Sequence, residues 1–493
     1  MLEAGLAQLR LAASLLLGVR FSLRSFDCMI AALKETQREF GSVGQDGQEL
    51  LSGPTLDEET RREVQLRRFC AQARRAARET AYYKRLFARL GLDLRLLTYE
   101  DIAALPLTSK VDLRQDPDAF VSRAARPYLR ALTTGTTGWP TSVSFSSYEL
   151  RVYSALTAIA SLMNSDLLAE DIVQISTSAR GTLGNVCLAG ACAHIGAQTY
   201  LAGMIEHASA LALLTEKRQT YGKKARTSVL YTYPSYLGEL VEYGLAHGYR
   251  PADFGLERIF VGGETLTEGL KARSQQLFGD AHVIESAYGM TEIWPFGGQP
   301  CEAGHLHYEI SQGLVEVVDP ETGAEAKPGE VGVIIATPFY PYRETTLLLR
   351  YDTGDIARVP LGPLTCRLRN LPATERLLGK RDLVVRHEDG WTYPRQIAEA
   401  LEALDQVPLP ARYGCWAIPG GVAVEVVVRE ATAETRRRVA TSLEARGVPV
   451  RELHLCVRRD QLQCPIPLRG DLREAVFSQR RGVGTQTGAG ISV

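Results

Sequence analysis

Neither sign of charge is in excess in this 493-residue chain: 56 lysines and arginines face 57 aspartates and glutamates, a formal net charge of -1. That balance argues against a surface built to neutralise nucleic-acid phosphates, so no nucleic-acid partner is expected. Long apolar runs are also missing. The one apolar stretch near the N-terminus, Leu11–Val19, is too short to span a bilayer, and no clear cleavage pattern follows it. A packed or interfacial helix is expected there, and no transmembrane anchor. The nine cysteines are scattered, odd in number and include no CxxC pair, and a chain of this size needs no disulfide framework. A reduced, cytoplasmic protein is the expectation. Internal repeats and a GxSxG elbow are absent, and no lysine follows Lys380. What is present, 45% hydrophobic and 23% charged residues, excludes general disorder and suits a large buried core.

The hydrophobic pattern divides the chain. Residues 1–50 read as an N-terminal extension closing in a glycine-rich stretch, and Leu56–Leu90 has helical periodicity with an arginine-rich solvated face. After Pro106 short β-rich runs, among them Asp171–Ser176 and Ser228–Tyr231, alternate with helical ones at Ser147–Asn164, Tyr236–Gly248 and Thr267–Phe278. Such alternation predicts α/β layers. Beyond Lys380 the pattern changes: strand Val422–Val428, helix Thr432–Arg446 and strand Glu452–Val457 make a compact βαβ unit.

The segment Thr133-Thr134-Gly135-Thr136-Thr137-Gly138-Trp139-Pro140-Thr141 is the most informative for chemistry. Its glycines permit unusual backbone angles and its hydroxyls can donate to anionic oxygens, so it can wrap a polyphosphate. The glycine spacing is wrong for a Walker loop and no lysine follows. An ordinary surface loop is the plainer reading of the cluster alone. Four further segments follow in order: Gly262-Gly263-Glu264 after an apolar strand, Tyr288-Gly289-Met290-Thr291-Glu292 after another, Tyr351-Asp352-Thr353-Gly354-Asp355, and Gly379-Lys380-Arg381-Asp382.

In this order the segments resemble the adenylate-forming, AMP-binding superfamily. Thr80–Phe87, Leu105–Leu113 and Tyr393–Ile397 are most similar to the phenylacetate–CoA ligase branch, and the likeness runs from about Leu56 to Phe477. The resemblance implies a large multi-layer α/β AMP-binding domain over 51–380, a small mobile α+β lid over 381–478 and a flexible tail over 479–493. It implies that Thr133, Thr134, Gly135, Thr136, Thr137 and Gly138 hold the ATP phosphates. Gly262, Gly263, Glu264, Ala287, Tyr288 and Gly289 would line the adenine slot. Asp355 would take the ribose hydroxyls with Lys380 nearby, Thr291 would touch the transferred phosphoryl group, and Glu292 would hold Mg²⁺. Asp382 matches the hinge.

Three departures stand out. Trp139 replaces a basic residue of the phosphate loop, and Leu383 replaces a second hinge acid. At the position where the family has a catalytic lysine, this chain has Asp471, with Arg469 and Arg473 as the nearest cations. Arg469 is the expected substitute. Cys301, His307 and Cys366 fall on three positions of a structural zinc site found in part of this branch. The fourth position falls on Leu368, so the shell is incomplete unless His305 fills it. Packed cysteines are the expectation, with zinc the alternative.

The implied activity is ATP-dependent adenylation of a small, aromatic carboxylic acid with release of pyrophosphate, then transfer to coenzyme A. Other acceptors or substrates stay open: an amine, a carrier-protein thiol, or nitrite activated for N–N bond formation. A homologue impaired in catalysis is a further alternative, because the lysine is absent. Tyr233, Tyr236, Arg180 and Asn185 are candidates to line the acid pocket, and a homodimer is possible.

Overall fold

A computed structural model describes residues 2–42, 56–133, 140–178 and 182–469. The expected α/β fold is what it shows. Helices α1 (Leu2–Leu17) and α2 (Leu23–Phe40) open the chain, followed by α3 (Glu58–Glu79), α4 (Ala81–Leu90), α5 (Tyr99–Ala104) and α6 (Lys110–Gln115). The predicted Leu56–Leu90 helix is thus two, broken at Thr80. The Thr80 side chain caps α4 by accepting from Tyr83 N, so its own backbone leaves the helical region. An antiparallel pair, β1 (Pro127–Leu132) and β2 (Ser142–Ser146), brackets the glycine- and threonine-rich loop.

The centre is a five-stranded parallel sheet in the order β4-β3-β5-β6-β7: β3 (Ile172–Ser176), β4 (Gln198–Leu201), β5 (Val229–Thr232), β6 (Arg258–Val261) and β7 (His282–Glu285). Its central strands β5 and β6 carry continuous apolar runs, Val229-Leu230-Tyr231 and Ile259-Phe260-Val261, because both faces are covered. On β5, Val229 and Tyr231 join a core with α7 (Ser147–Ser165) and α8 (Thr182–Ile195). Leu230, between them, joins a second core with α9 (His207–Thr215), α10 (Pro234–Ala246) and α11 (Glu268–Phe278). The strand period of two sends neighbours to opposite cores.

Strands β8 (Gly298–Pro300) and β9 (His305–Tyr308) follow, then β10 (Gly313–Val318), β11 (Val331–Pro338) and β12 (Tyr351–Arg358), with β13 (Ala373–Glu375) and β14 (Gly379–Lys380). These form an antiparallel sheet β10-β11-β12-β14 and a smaller one, β13-β9-β8. The hairpin β15 (Val385–His387) and β16 (Gly390–Thr392) leads into α12 (Pro394–Glu402). The βαβ unit then appears as β18 (Gly421–Val427), α13 (Ala433–Ala445) and β19 (Val450–Cys456), with β18 parallel to β19 and antiparallel to β17 (Tyr413–Ile418). This C-terminal part has its own apolar core around Val422, Val424, Val426 and Leu443.

The N-terminal extension joins the main core. Phe21, Phe26 and Ile30 are buried in it, and Arg20 makes two bonds to the buried Glu344 at 2.8 and 2.9 Å. Helix α1 packs on α2 and leaves Leu9, Leu16 and Leu17 exposed. No helix among the described residues is long and apolar enough to cross a membrane.

The C-terminal part docks on α10 and α11 through close backbone approach and polar contacts. A Cβ at Gly269 would lie 2.4 Å from the Glu402 carbonyl carbon and 2.5 Å from Ala403 N. Arg273 donates to Val407 O at 2.9 Å and pairs with Glu242 at 3.0 Å, while Arg429 reaches the same carboxylate at 2.7 Å. Gly269→Ala should therefore push the C-terminal part off α11, destabilising by about 1–3 kcal/mol as overpacking does. Urea unfolding and hydrogen exchange of residues 394–402 check this; unchanged stability and exchange would contradict the packing described.

Candidate functional site

In a parallel sheet of this kind the carboxyl ends of the strands face a crevice where ligands bind. Here that edge is made by the turns after β3, β5, β6 and β7, and of the expected residues Gly262, Gly263 and Glu264 follow β6 while Ala287, Tyr288, Gly289, Thr291 and Glu292 follow β7. Gly262 ends β6 so close to Ser286 that a Cβ would sit 3.1 Å from the serine Cβ. Gly263 has φ +80, a left-handed conformation that a side chain strains, and the same atom would meet the Arg469 guanidinium at 3.0 Å. Glu264 then holds three segments together. One carboxylate oxygen accepts from Ser235 N at 2.9 Å, at the start of α10, and the other accepts from Arg469 N. The Arg469 guanidinium lies 5.0 Å from the centroid of the Tyr233 ring. The sequence expectation had Arg469 standing in for a phosphate-facing lysine; the structure brings it to the glycine turn and Tyr233.

A second knot surrounds Asp355. This buried carboxylate accepts from the Tyr288 hydroxyl at 3.0 Å and pairs with Lys380 Nζ at 2.8 Å. Asp355 and Lys380 face each other across the β12–β14 pair. Ala287 is exposed beside Tyr288, and a Cβ at Gly289 would meet the Trp294 ring at 2.9 Å. A third knot surrounds Glu292, which follows Thr291 in the turn after Met290. Glu292 is 1% exposed, accepts from Tyr351 at 3.3 Å and has Lys110 Nζ 3.8 Å away. Burial pulls the Lys110 ammonium below its usual range, and the Glu292 charge opposes that pull.

The neck of the glycine- and threonine-rich loop is closed by a reciprocal pair: Thr133 N donates to Thr141 O and Thr141 N to the Thr133 hydroxyl, both at 2.9 Å. Thr134, Gly135, Thr136, Thr137, Gly138 and Trp139 lie outside the described residues, as do Arg180, Asp471 and Arg473. Of the acid-pocket candidates, Tyr233 and Tyr236 follow β5. Asn185 lies near the turn after β3, its amide donating to Ser178 O at 3.4 Å.

Sequence reasoning passed over Lys110 and Arg114 on α6 and Tyr351 as members of this region. Lys110 lay within Leu105–Leu113 and Tyr351 within Tyr351–Asp355, segments already noted, but no local signal assigned them or Arg114 to the site.

A separate cluster lies beside β9. Cys301, His305, His307 and Cys366 bring one ligand atom each to within 4.8 Å of one another. His305 and His307 share a face because strand residues two apart do, and His305 supplies the fourth donor that Leu368 cannot. Burial pushes the His307 imidazole down to about 4, so near neutral pH it carries no proton that would compete with a metal. Its Nδ1 is buried without a hydrogen-bond partner among the described residues, and its Nε2 lies 3.2 Å from Cys366 Sγ. Two thiols and two imidazoles at this separation suit a tetrahedral zinc ion, and the expected packed cysteines are also potential ligands.

Comparison with known proteins follows the same lines. The AMP-binding enzyme family matches residues 87–337, half of the chain. A phenylacetate-coenzyme A ligase of Thermus thermophilus is 28% identical over 371 residues, covering 72% of this chain and 78% of that protein. Among solved structures, 2-hydroxyisobutyryl-CoA ligase in the postadenylation state, in complex with R3-HIB-AMP, is similar with a TM-score of 0.68. That likeness is at 19% identity over 87% of this chain and 94% of the other. An open conformation of the same ligase gives 0.59 at 20% identity, over 82% and 89%.

The purified chain is expected to carry about one zinc ion, the number a four-ligand site holds. Cys366→Ser should lose the metal and melt earlier. Elemental analysis and thermal melts check this; a metal-free wild type as stable as the variant would make the cluster ordinary packing.

Proposed function

The chain belongs to the AMP-binding enzyme family, and from that premise we propose that it activates a small aromatic carboxylic acid with ATP and passes the acyl group to coenzyme A. The observation that carries this reading is that Asp355 is held by Tyr288, from the loop after β7, and by Lys380, while Glu264, after β6, is bonded by Ser235 N and Arg469 N. The likeness to the Thermus phenylacetate-coenzyme A ligase favours an aromatic acid and coenzyme A over the other acceptors.

In this reading the turn Gly262–Glu264 and the segment Ala287–Gly289 form the adenine slot, where glycines leave room that side chains would fill. Asp355 accepts from the ribose hydroxyls. It is preorganised for this because Tyr288 and Lys380 already fix the carboxylate, and a fixed charged acceptor bonds a hydroxyl strongly. Thr133 and Thr141 hold the neck of the loop proposed to wrap the phosphates. Glu292, a carboxylate with few bonds of its own, is an oxygen ligand suited to Mg²⁺, which when bound neutralises phosphate charge. Thr291 lies next to it on the path of the transferred group. Arg469, fixed by Glu264, closes the site from the C-terminal part as the expected cation. Residues 51–380 act as the binding body and 381–478 as the lid turning at Asp382. The substrate carboxylate oxygen attacks the α-phosphorus as pyrophosphate leaves, and the protein contributes position and preorganised charge.

Two measurements test the reading. A panel of acids assayed for pyrophosphate release with and without coenzyme A should show release that depends on an aromatic acid, with a thioester formed when coenzyme A is present. Release that depends on an amine, or none with any acid, would overturn the substrate and acceptor assigned here. Asp355→Ala should bind ATP roughly ten- to a hundredfold more weakly, since a hydrogen bond to a charged group contributes about 1.5–3 kcal/mol. Calorimetry on the folded variant reads this directly, and an unchanged affinity would remove Asp355 from the ribose role.

A further inference from the structure

Two cations on α6 have no assigned part in the chemistry above. Lys110 and Arg114 stand four residues apart on a helix, so they share a face. Lys110 turns toward Glu292, but at 3.8 Å the contact is an ion pair without a hydrogen bond. Arg114 is the more unusual. Its Nε and Nη2 are buried and have no hydrogen-bond partner among the described residues. A guanidinium has five donors and no acceptor, and buried donors of this kind are ordinarily bonded. Both cations influence the same neighbourhood: Arg114 and Lys380 act electrostatically on Lys110, and Arg114 acts on Tyr351, which bonds Glu292.

The helix is held firmly in place. Thr108 N donates to Arg350 O at 2.9 Å and Asp352 N donates to Thr108 O at 3.0 Å, so the chain leading into α6 is joined to the start of β12. Ser109 and Asp112 cap α6 reciprocally. Lys110 is therefore positioned, by the strand that carries Asp355, beside the carboxylate suited to Mg²⁺, and Arg114 follows it one turn along the same helix.

Beyond Lys380, which is paired with Asp355, and Arg469, which stands at the glycine turn, the reaction proposed calls for positive charge at the phosphates. The phosphate loop has Trp139 where a basic residue is usual, and no lysine follows Lys380. We propose that Lys110 and Arg114 bind the ATP polyphosphate and stabilise pyrophosphate as it departs, with Lys110 leaving Glu292 free for the metal. This rests on the reading of the site as an acid-activating one. In the step itself the carboxylate oxygen of the acid forms a bond to the α-phosphorus. The bond from that phosphorus to the bridging oxygen breaks, and its electron pair leaves with pyrophosphate. No proton transfer or redox partner is needed, so fixed positive charge is the contribution required. A guanidinium fork suits two phosphate oxygens at once, and an ammonium suits a single concentrated charge.

The test uses Lys110→Met and Arg114→Met, which keep the apolar stems, with Lys110→Arg as the charge-conserving control. Calorimetry with ATP and with AMP, each in Mg²⁺, is paired with pyrophosphate release on the acid that the wild type prefers. Each Met variant should lose about tenfold or more in ATP affinity, keep AMP affinity within about twofold, and release pyrophosphate about a hundred- to a thousandfold more slowly. Lys110→Arg should recover part of both losses. Met variants that match the wild type for ATP and for release overturn the proposal. So do variants that lose ATP and AMP alike with a lowered melting temperature, because that pattern marks a structural role. A wild type that binds ATP but releases pyrophosphate with no acid overturns the acid-activation reading and, with it, the departing-group role, while the ATP-to-AMP comparison still decides whether α6 holds phosphates.

Discussion

The arrangement depends on a buried carboxylate that is never left alone. Asp355 is bonded by the Tyr288 hydroxyl from the loop after β7 and by the Lys380 ammonium from β14. A charge taken out of water at this depth is costly unless paired and hydrogen-bonded. Meeting that demand fixes the relative positions of three stretches of chain far apart in sequence. Lys380 is also the last residue of β14, and Arg381-Asp382 begin the passage to the C-terminal part. The ion pair of the group proposed to read the ribose thus lies two residues from Asp382, the proposed pivot of the lid.

The C-terminal part, proposed as a lid, is attached by a mixed set of contacts. Its apolar core is its own, built from Ile397, Leu401, Val422, Val424, Val439 and neighbours. Its contact with α10 and α11 combines Leu409, buried in the core of those helices, with polar pairs: Glu242 serves both Arg273 and Arg429, Glu239 serves Arg412, and Thr267 bonds Glu402. Polar groups of this kind can exchange their partners for water when surfaces separate, which an apolar seam cannot do without loss. Burial raises the Glu402 carboxyl above its usual range, so this seam also contains a group that releases its proton more readily once wetted.

Much of this was legible in the sequence for local reasons. The central parallel strands announce themselves because both faces are buried and apolar residues such as Val229-Leu230-Tyr231 and Ile259-Phe260-Val261 run together, and the βαβ unit after Val422 follows from periodicity. The glycine turns after β6 and β7 were visible because close backbone approach leaves few alternatives to glycine. What escaped was long-range. Lys110 and Arg114 precede Glu292 by more than a hundred and seventy residues, and nothing in their helix reveals that β12 carries it to the sheet edge. His305 was readable only as a possible fourth ligand, because its alignment with His307, Cys301 and Cys366 is created by the β13-β9-β8 sheet. The extension at 1–50 gave no sign that Phe21, Phe26 and Ile30 would enter the main core, since their partners come from distant helices.

The central claim is that an acid oxygen forms a bond to the α-phosphorus of ATP at this sheet edge. The most direct measurement follows that oxygen. An aromatic acid carrying ¹⁸O in its carboxylate, turned over with ATP and coenzyme A, should deliver one labelled oxygen to the phosphate of AMP, because acyl transfer breaks the carbonyl-carbon-to-oxygen bond and leaves that oxygen on phosphorus. Mass spectrometry of the nucleotide product reads the result. Unlabelled AMP, or ADP as the product, would contradict the account.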